Sequence, residues 1–276
     1  MKHPLPSLQK AADFCILWRT DLWKYAKGGN AMRIERGKVV DLAKRYSHAW
    51  LFLIFAMLGQ QFSLLEQYVV PKYWVYCWVD GLIPFVPVFV IPYTLWFAYV
   101  GGGLTVLCLH DRQDFIRAFA LLAWGMFITE VIYLVFPHGQ PLRPIITEND
   151  IFSRLVRDTI YANDTDTNCC PSLHVLNQLA VHIGLCKSRL CRDRKWFKRA
   201  SLVFTILVCA STVFLKQHSI IDVMAALALE IPLYLLIYKV DWKGLFLRRA
   251  ERLPGEYPAE PAVPQKEKVR ETVTME

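Results

Sequence analysis

Apolar positions along this chain are clumped rather than periodic. Windows of about 20 residues, almost free of charge, recur at 48–68, 91–109, 115–136, about 172–190, 198–217 and 219–239. A helix of that length is what spans a hydrocarbon core of about 30 Å. The pattern predicts an all-α polytopic membrane protein, a six-transmembrane-helix bundle over residues 48–240. Ahead of it, residues 1–47 read as a basic segment in which "LQKAADFCILWRTDLWKYA" (8–26) sets Leu8, Ala11, Cys15, Trp18, Leu22 and Tyr25 on one helical stripe. That stripe is expected to lie on the inner leaflet or against the cytoplasmic face of the bundle. Behind it, residues 241–276 are rich in Pro, Glu and Lys, cannot bury a core, and are expected to form a flexible cytoplasmic tail.

One apolar stretch is too long for a single span. Residues 73–109 would make a helix of about 55 Å at a rise of about 1.5 Å per residue, and Asp80, Gly81, Pro84, Pro87 and Pro92 interrupt its first part. The phrase "DGLIPFVPVFVIPY" is therefore expected to be a bent, non-spanning segment at the outer interface, with a span starting near Ile91. Counting it as a seventh span would leave no loop before the next one.

Charge orients the bundle. Residues 1–47 carry ten Lys and Arg against four acids, and "KSRLCRDRKWFKR" (187–199) carries seven against one. Lys239, Lys243, Arg248, Arg249 and Arg252 open the tail, whereas 65–90 has one lysine and 137–171 has three arginines against five acids. Six spans put the basic-rich regions on one side, so both termini are expected in the cytoplasm. The first apolar run has the length of a span rather than of a signal-peptide core, so the first span doubles as the targeting signal. A multi-pass plasma-membrane protein is the expectation. Net charge is +8 and 54% of residues are hydrophobic, but the basic residues cluster at span ends. Anionic lipid headgroups, not nucleic acid, are the partners that this placement suggests.

The eight cysteines form no framework. Cys169-Cys170 lacks a second cluster at metal-ligand spacing, so no metal is expected, and a bridge from Cys77 to one of the two is an open alternative. His182, Glu130 and Glu230 lie within spans. His182 is read as an interhelical hydrogen-bonder and the two glutamates as structurally paired. Trp74, Trp78, Trp96 and Tyr93 read as an interfacial aromatic belt, and "NDTDT" (163–167) as a solvated loop.

Three short motifs fall at the predicted outer ends of spans: "FPHGQPLRP" with Arg143, "PSLH" with Ser172 and His174, and "KQHSIIDV" with Lys216, His218 and Asp222. His218 and Asp222, four apart on a helix, share a face. A carboxylate on Nδ1–H fixes the tautomer and leaves Nε2 free as a base or nucleophile. His174 can supply a proton to a leaving oxygen. Arg143 offers a fork of donors to phosphate oxygens, and Ser172 with the N–H groups at a helix start offers an anion site. These are parts for phosphoryl transfer through a phosphohistidine, with no metal or other cofactor needed.

The order Arg-Pro, Pro-Ser-x-His, His-x-x-x-Asp resembles the type 2 phosphatidic acid phosphatase superfamily, which includes lipid phosphatases, sphingolipid synthases and soluble vanadium haloperoxidases. The resemblance covers roughly residues 80–240. It implies His218 as nucleophile, Asp222 as its orienting partner, His174 as leaving-group acid, and Arg143 and Ser172 as phosphate ligands. The expected activity is hydrolysis of a lipid phosphate at the outer leaflet.

Two departures stand out. Where the family pattern has a lysine seven residues before the arginine, this chain has Phe136, and where it has Ser-Arg before the third histidine, Ser211 is followed by Thr212. Lys216, Arg154 and Arg157 are the candidates to replace the missing cations. Weakened clamps resemble the sphingomyelin and inositol-phosphorylceramide synthase branch, which passes a phospho-headgroup to a lipid alcohol. A transporter or scaffold on the same bundle is the reading from another class.

Overall fold

A computed structural model describes residues 36–241. The basic stripe at 8–26 and the tail beyond 241 lie outside the described residues. Among the described residues, ten α-helices follow in order: α1 (Arg36–Arg45), α2 (Leu51–Tyr68), α3 (Trp78–Leu82), α4 (Val90–His110), α5 (Arg112–Val135), α6 (Ile151–Leu155), α7 (Tyr161–Asn163), α8 (Leu173–Lys187), α9 (Lys195–Phe214) and α10 (Ile220–Tyr234). Among the described residues, five helical stretches are long and apolar enough to cross a membrane: Ser47–Tyr68, Pro87–His110, Arg112–Val135, Lys195–Phe214 and Ile220–Lys239.

The expected fourth span, α8, differs in kind. It has 15 residues, about 22 Å at 1.5 Å per residue, short of a hydrocarbon core. Its buried positions include Leu173, Val175, Leu176, Asn177, Gln178, Ala180, Val181, Gly184 and Leu185, which point to every side of the helix. α4, α5, α9 and α10 all pack around it. α8 therefore meets protein where its neighbours present large apolar residues outward, such as Phe97, Trp124, Ile206 and Met224. Two glycines allow the close approach: at Gly184 an added Cβ would overlap the methyl of Ala118, and at Gly103 on α4 one would overlap Val181. His182 Nδ1 lies 2.6 Å from Ser201 Oγ on α9, the interhelical bond expected of it.

The broken segment after the first span behaves as its prolines require. α3 ends at Leu82, a 3₁₀ turn covers Pro87–Phe89, and α4 starts at Val90. Two features of this end are not all-helical loops. Tyr73-Trp74 (β1) pairs in parallel with His138-Gly139 (β2), and residues 151–163 form a short helical stack of α6, a π-turn and α7. This stack and the 168–172 connection adjoin the starts of α8 and α10, Tyr161 O–H donating to the Leu215 carbonyl and Ser172 N–H to the Asp222 carbonyl.

Several expectations need correction. Cys77, Cys169 and Cys170 are all free thiols, so the bridge is absent. Glu130 and Glu230 are buried, yet none of their carboxyl oxygens has a hydrogen-bond partner, so the expected pairing is not made. Trp74 and Trp78 are exposed, but Tyr93 and Trp96 are buried and do not belong to a surface belt. The "NDTDT" loop is likewise engaged with the protein, as described next.

Candidate active site

The site is built where two helices begin. Ser172 caps α8, its Oγ accepting from Val175 N–H at 3.4 Å. Its own N–H donates to the Asp222 carbonyl at 3.2 Å, which joins the starts of α8 and α10. Tyr133 O–H holds the Pro171 carbonyl at 2.6 Å from α5. One residue into α8, the His174 ring lies between Tyr93 and Trp96, with centroids 4.7 and 4.5 Å away. Trp96 Nε1–H also donates to the His174 carbonyl at 3.0 Å. Three contacts from α4 thus fix the position of this imidazole.

The second histidine is delivered by a tight turn at the end of α9. The Thr212 carbonyl accepts from both Gln217 N–H and His218 N–H at 3.0 Å. Lys216 takes a left-handed φ of 56° to make the reversal, a conformation that costs a side-chain-bearing residue about 1 kcal/mol. Ser219 then caps α10 in a capping box with Asp222. This puts the His218 Nδ1 3.1 Å from Asp222 Oδ2. With Nδ1–H donating, Nε2 is the free nitrogen. The His174 and His218 rings meet edge to face, 5.7 Å between centroids.

Asp222 is fully buried and its Oδ2 is a hub. Beside His218 it accepts from Ser219 N–H at 3.0 Å and from Gln140 Nε2–H. Behind it sits Asp80, 2% exposed. Its carboxylate accepts from Ser219 Oγ–H at 2.6 Å, Ile220 N–H at 2.9 Å and Cys77 N–H at 2.8 Å. Burial pushes the Asp80 carboxyl up, but the hydrogen bonds from Ser219, Cys77 and Ile220 outweigh it and hold the group below its ordinary value. Asp80 thereby staples the bent segment to the positive end of α10. Lys216 Nζ donates to the Asp80 carbonyl at 2.6 Å. Burial lowers its ammonium from the usual value, against the pull of the Asp80 carboxylate.

Arg143 lies across the loop from these helices. Its guanidinium donates to the Asp164 carbonyl at 2.8 Å, and to the Thr165 carbonyl and Gln217 Oε1. It stacks 4.6 Å over the Tyr161 ring. Its Nε–H is buried without a partner. His138 locks the loop beneath. The Phe136 carbonyl, 2.7 Å from Nδ1, can only accept, so Nδ1 carries the proton and Nε2 accepts from Cys170 N–H at 2.6 Å. Burial lowers the His138 pKa, and the ring is neutral.

A cavity of about 660 Å³ opens onto the histidines. Its polar end is lined by His174, His218, Gln217 and Asn168, and its apolar end by Phe55, Phe62, Phe97, Val100 and Met126 from α2, α4 and α5. α2 and α4 each pack on α5, and the cavity runs between them past Gly59 and Gly101.

His174, His218 and Asp222 are thus brought together, with Arg143 reaching the same group through Gln217. Ser172 is buried and its hydroxyl is used in capping. Arg143, Ser172, Lys216, Arg154 and Arg157 do not line the cavity, and Arg157 is paired with Asp158 at 2.8 Å. At the two departures, Phe136 stacks on Tyr73, with centroids 4.4 Å apart. Thr212 bonds the Cys209 carbonyl at 2.8 Å while its own carbonyl anchors the turn. Burial, with the negative Asp222 nearby, pushes the Cys170 thiol up to about 12, so it stays protonated and is no nucleophile.

Sequence reasoning missed Gln140, Gln217 and Asp80. Gln140 lay within a quoted motif, three residues before Arg143, and Asp80 was read only as a helix breaker. Comparison of the chain with protein-family models, with curated proteins and with solved structures finds no match in any of the three.

Proposed function

We propose that this membrane-embedded protein is a lipid phosphate phosphatase that works through a phosphohistidine. One observation carries the reading: His218, held by Asp222 at Nδ1, faces His174 at the polar end of a cavity whose other end is apolar. A lipid tail fits the apolar end and leaves its phosphate against the imidazoles.

In this reading His218 Nε2 attacks phosphorus as the bond from phosphorus to the lipid oxygen breaks, and His174 gives its proton to that oxygen. Water then attacks phosphorus, His174 takes its proton, and the P–N bond breaks to release inorganic phosphate. Asp222 stabilises the charge that His218 gains. The N–H groups of Leu173 and His174 at the start of α8, both residues on the cavity lining, are the donors for the phosphoryl oxygens in this reading, and Arg143, which does not line the cavity, acts through its bond to Gln217. In this reading α8 is a sixth, protein-enclosed crossing, so both termini share one side, and the basic clusters argue that this side is the cytoplasm and that the site faces the outer side of the plasma membrane.

Purified full-length protein in detergent, given a panel of lipid phosphates, tests this. Free phosphate should form, His218→Ala should lower its rate at least about 10³-fold, and acid-labile phosphate should be trapped on wild-type protein. Release that survives the substitution would sink the mechanism. Product formed only with an added lipid alcohol would assign a headgroup transferase instead, and no turnover of any lipid would favour a transporter or scaffold.

A further inference from the structure

The cavity that meets the histidines carries the wrong charge for a simple phosphate. Among the described residues, no Lys or Arg lines the cavity. Two acids do, Glu66 from α2 and Asp164 from the outer loop. Their carboxyl groups interact directly. Glu66 Oε1 is held by Thr165 N–H and Oγ–H, at 3.1 and 2.9 Å. Asp164 Oδ2 accepts from Tyr93 O–H at 3.0 Å, and the same Tyr93 ring packs on His174. The acid pair is therefore one side chain away from the candidate general acid.

A second observation points the same way. Asn168 and Asn177, each 2% exposed, both line this cavity, and each leaves its Oδ1 buried without a hydrogen-bond partner. Unmet polar groups of this kind are costly unless a ligand satisfies them. These two amide oxygens are acceptors and call for a donor, whereas Gln217 Nε2–H, also buried without a partner on this lining and next to His218, is a donor that suits the phosphate half of a ligand. A bare metal ion does not fit the set, since among the described residues no cluster of three His, Cys, Asp or Glu gathers there. Tyr93, Trp96 and Phe62 supply aromatic walls, which suit an organic cation.

We propose that the cavity selects a zwitterionic lipid phosphate, one that carries an ammonium beside the phosphate, and that Glu66, Asp164, Asn168 and Asn177 receive that ammonium. The proposal rests on the lipid phosphate reading for the phosphate half of the ligand. The ammonium offsets the negative charge of the Glu66–Asp164 acid pair, which would otherwise repel the phosphate. It belongs either to the lipid base of a phosphomonoester or to the headgroup alcohol of a phosphodiester.

Binding can be read apart from turnover, using full-length His218→Ala protein in detergent and the fluorescence of the cavity tryptophan. One pair of ligands is sphinganine 1-phosphate and its N-acetyl derivative; the other is a short-chain phosphatidylethanolamine and its N-acetyl derivative. In at least one pair, acetylation should weaken binding about tenfold, and the pair that responds identifies the source of the ammonium. Glu66→Gln should shrink that difference, and Asn177→Ala should do so as a second variant if the first fails to fold. Equal binding within both pairs, or a difference that neither variant changes, would overturn the inference. Phosphate release by wild-type protein is followed separately: selective binding without release supports the ammonium site and counts against the phosphatase reading.

Discussion

At the level of single residues, the position of the His218 imidazole depends on an oxygen shared by three donors. Asp222 Oδ2 receives His218, Ser219 and Gln140, and of these only Gln140 comes from another part of the chain. Gln140 therefore acts as a positioning residue, joining the Arg143 loop to the His–Asp pair. Gln140→Ala should lower kcat about tenfold, the equivalent of one hydrogen bond to a charged group. KM should stay near wild type, and thermal unfolding in detergent should shift little. An unchanged kcat would show that Ser219 alone orients the carboxylate. The His–Asp pair was legible in the sequence because a spacing of four is a helical contact. Gln140 was not, because a partner 82 residues away leaves no local trace.

Among the elements, β2 and the 168–171 connection are tied by a histidine that must stay neutral. His138 donates from Nδ1 and accepts at Nε2, and protonation would put a second proton where Cys170 N–H already points. Its folded pKa is lowered by burial, below an unfolded value of about 6.5. The unfolded chain then binds more protons between those two values. The stabilisation is full above about pH 6.5 and is lost as pH falls toward the folded pKa. Melting temperature should drop between pH 7.5 and 5 in wild type, and His138→Gln should flatten that slope. Parallel slopes would remove His138 from this role. The loop elements were the least readable part of the fold. Residues 137–171 lack apolar periodicity, and their helices and two-residue strand are imposed by contacts with Tyr73, Glu66 and Tyr93. The five long helices were legible because length and apolarity alone define them. The prolines of 84–92 marked a true break.

For the whole molecule, the sidedness proposed from the basic clusters can be tested with residues chosen for exposure. Native cysteines serve badly, since Cys169 and Cys191 are both buried. Ile145, 92% exposed in the 137–171 loop, and Asp193, 88% exposed in the basic 187–199 run, are better positions. In a cysteine-free background, Ile145→Cys should react with an impermeant thiol reagent on intact cells, and Asp193→Cys only after the membrane is opened. The reverse result would invert the topology.

The enclosure of α8 also bears on how the chain is made. A 15-residue helix that carries Asn177, Gln178 and His182 is a poor membrane segment by itself, since translocon insertion disfavours polar side chains at a helix centre. It emerges from the ribosome after α4 and α5 but before α9 and α10, two of the four helices that surround it. Its crossing should therefore await their synthesis. A chain truncated after Lys187, carrying a glycosylation tag at that end, should leave α8 uninserted with the tag in the lumen. The full chain should hold the same position on the cytoplasmic side. If the truncated chain already places its tag in the cytoplasm, α8 inserts unaided, and the order of assembly is simply the order of synthesis.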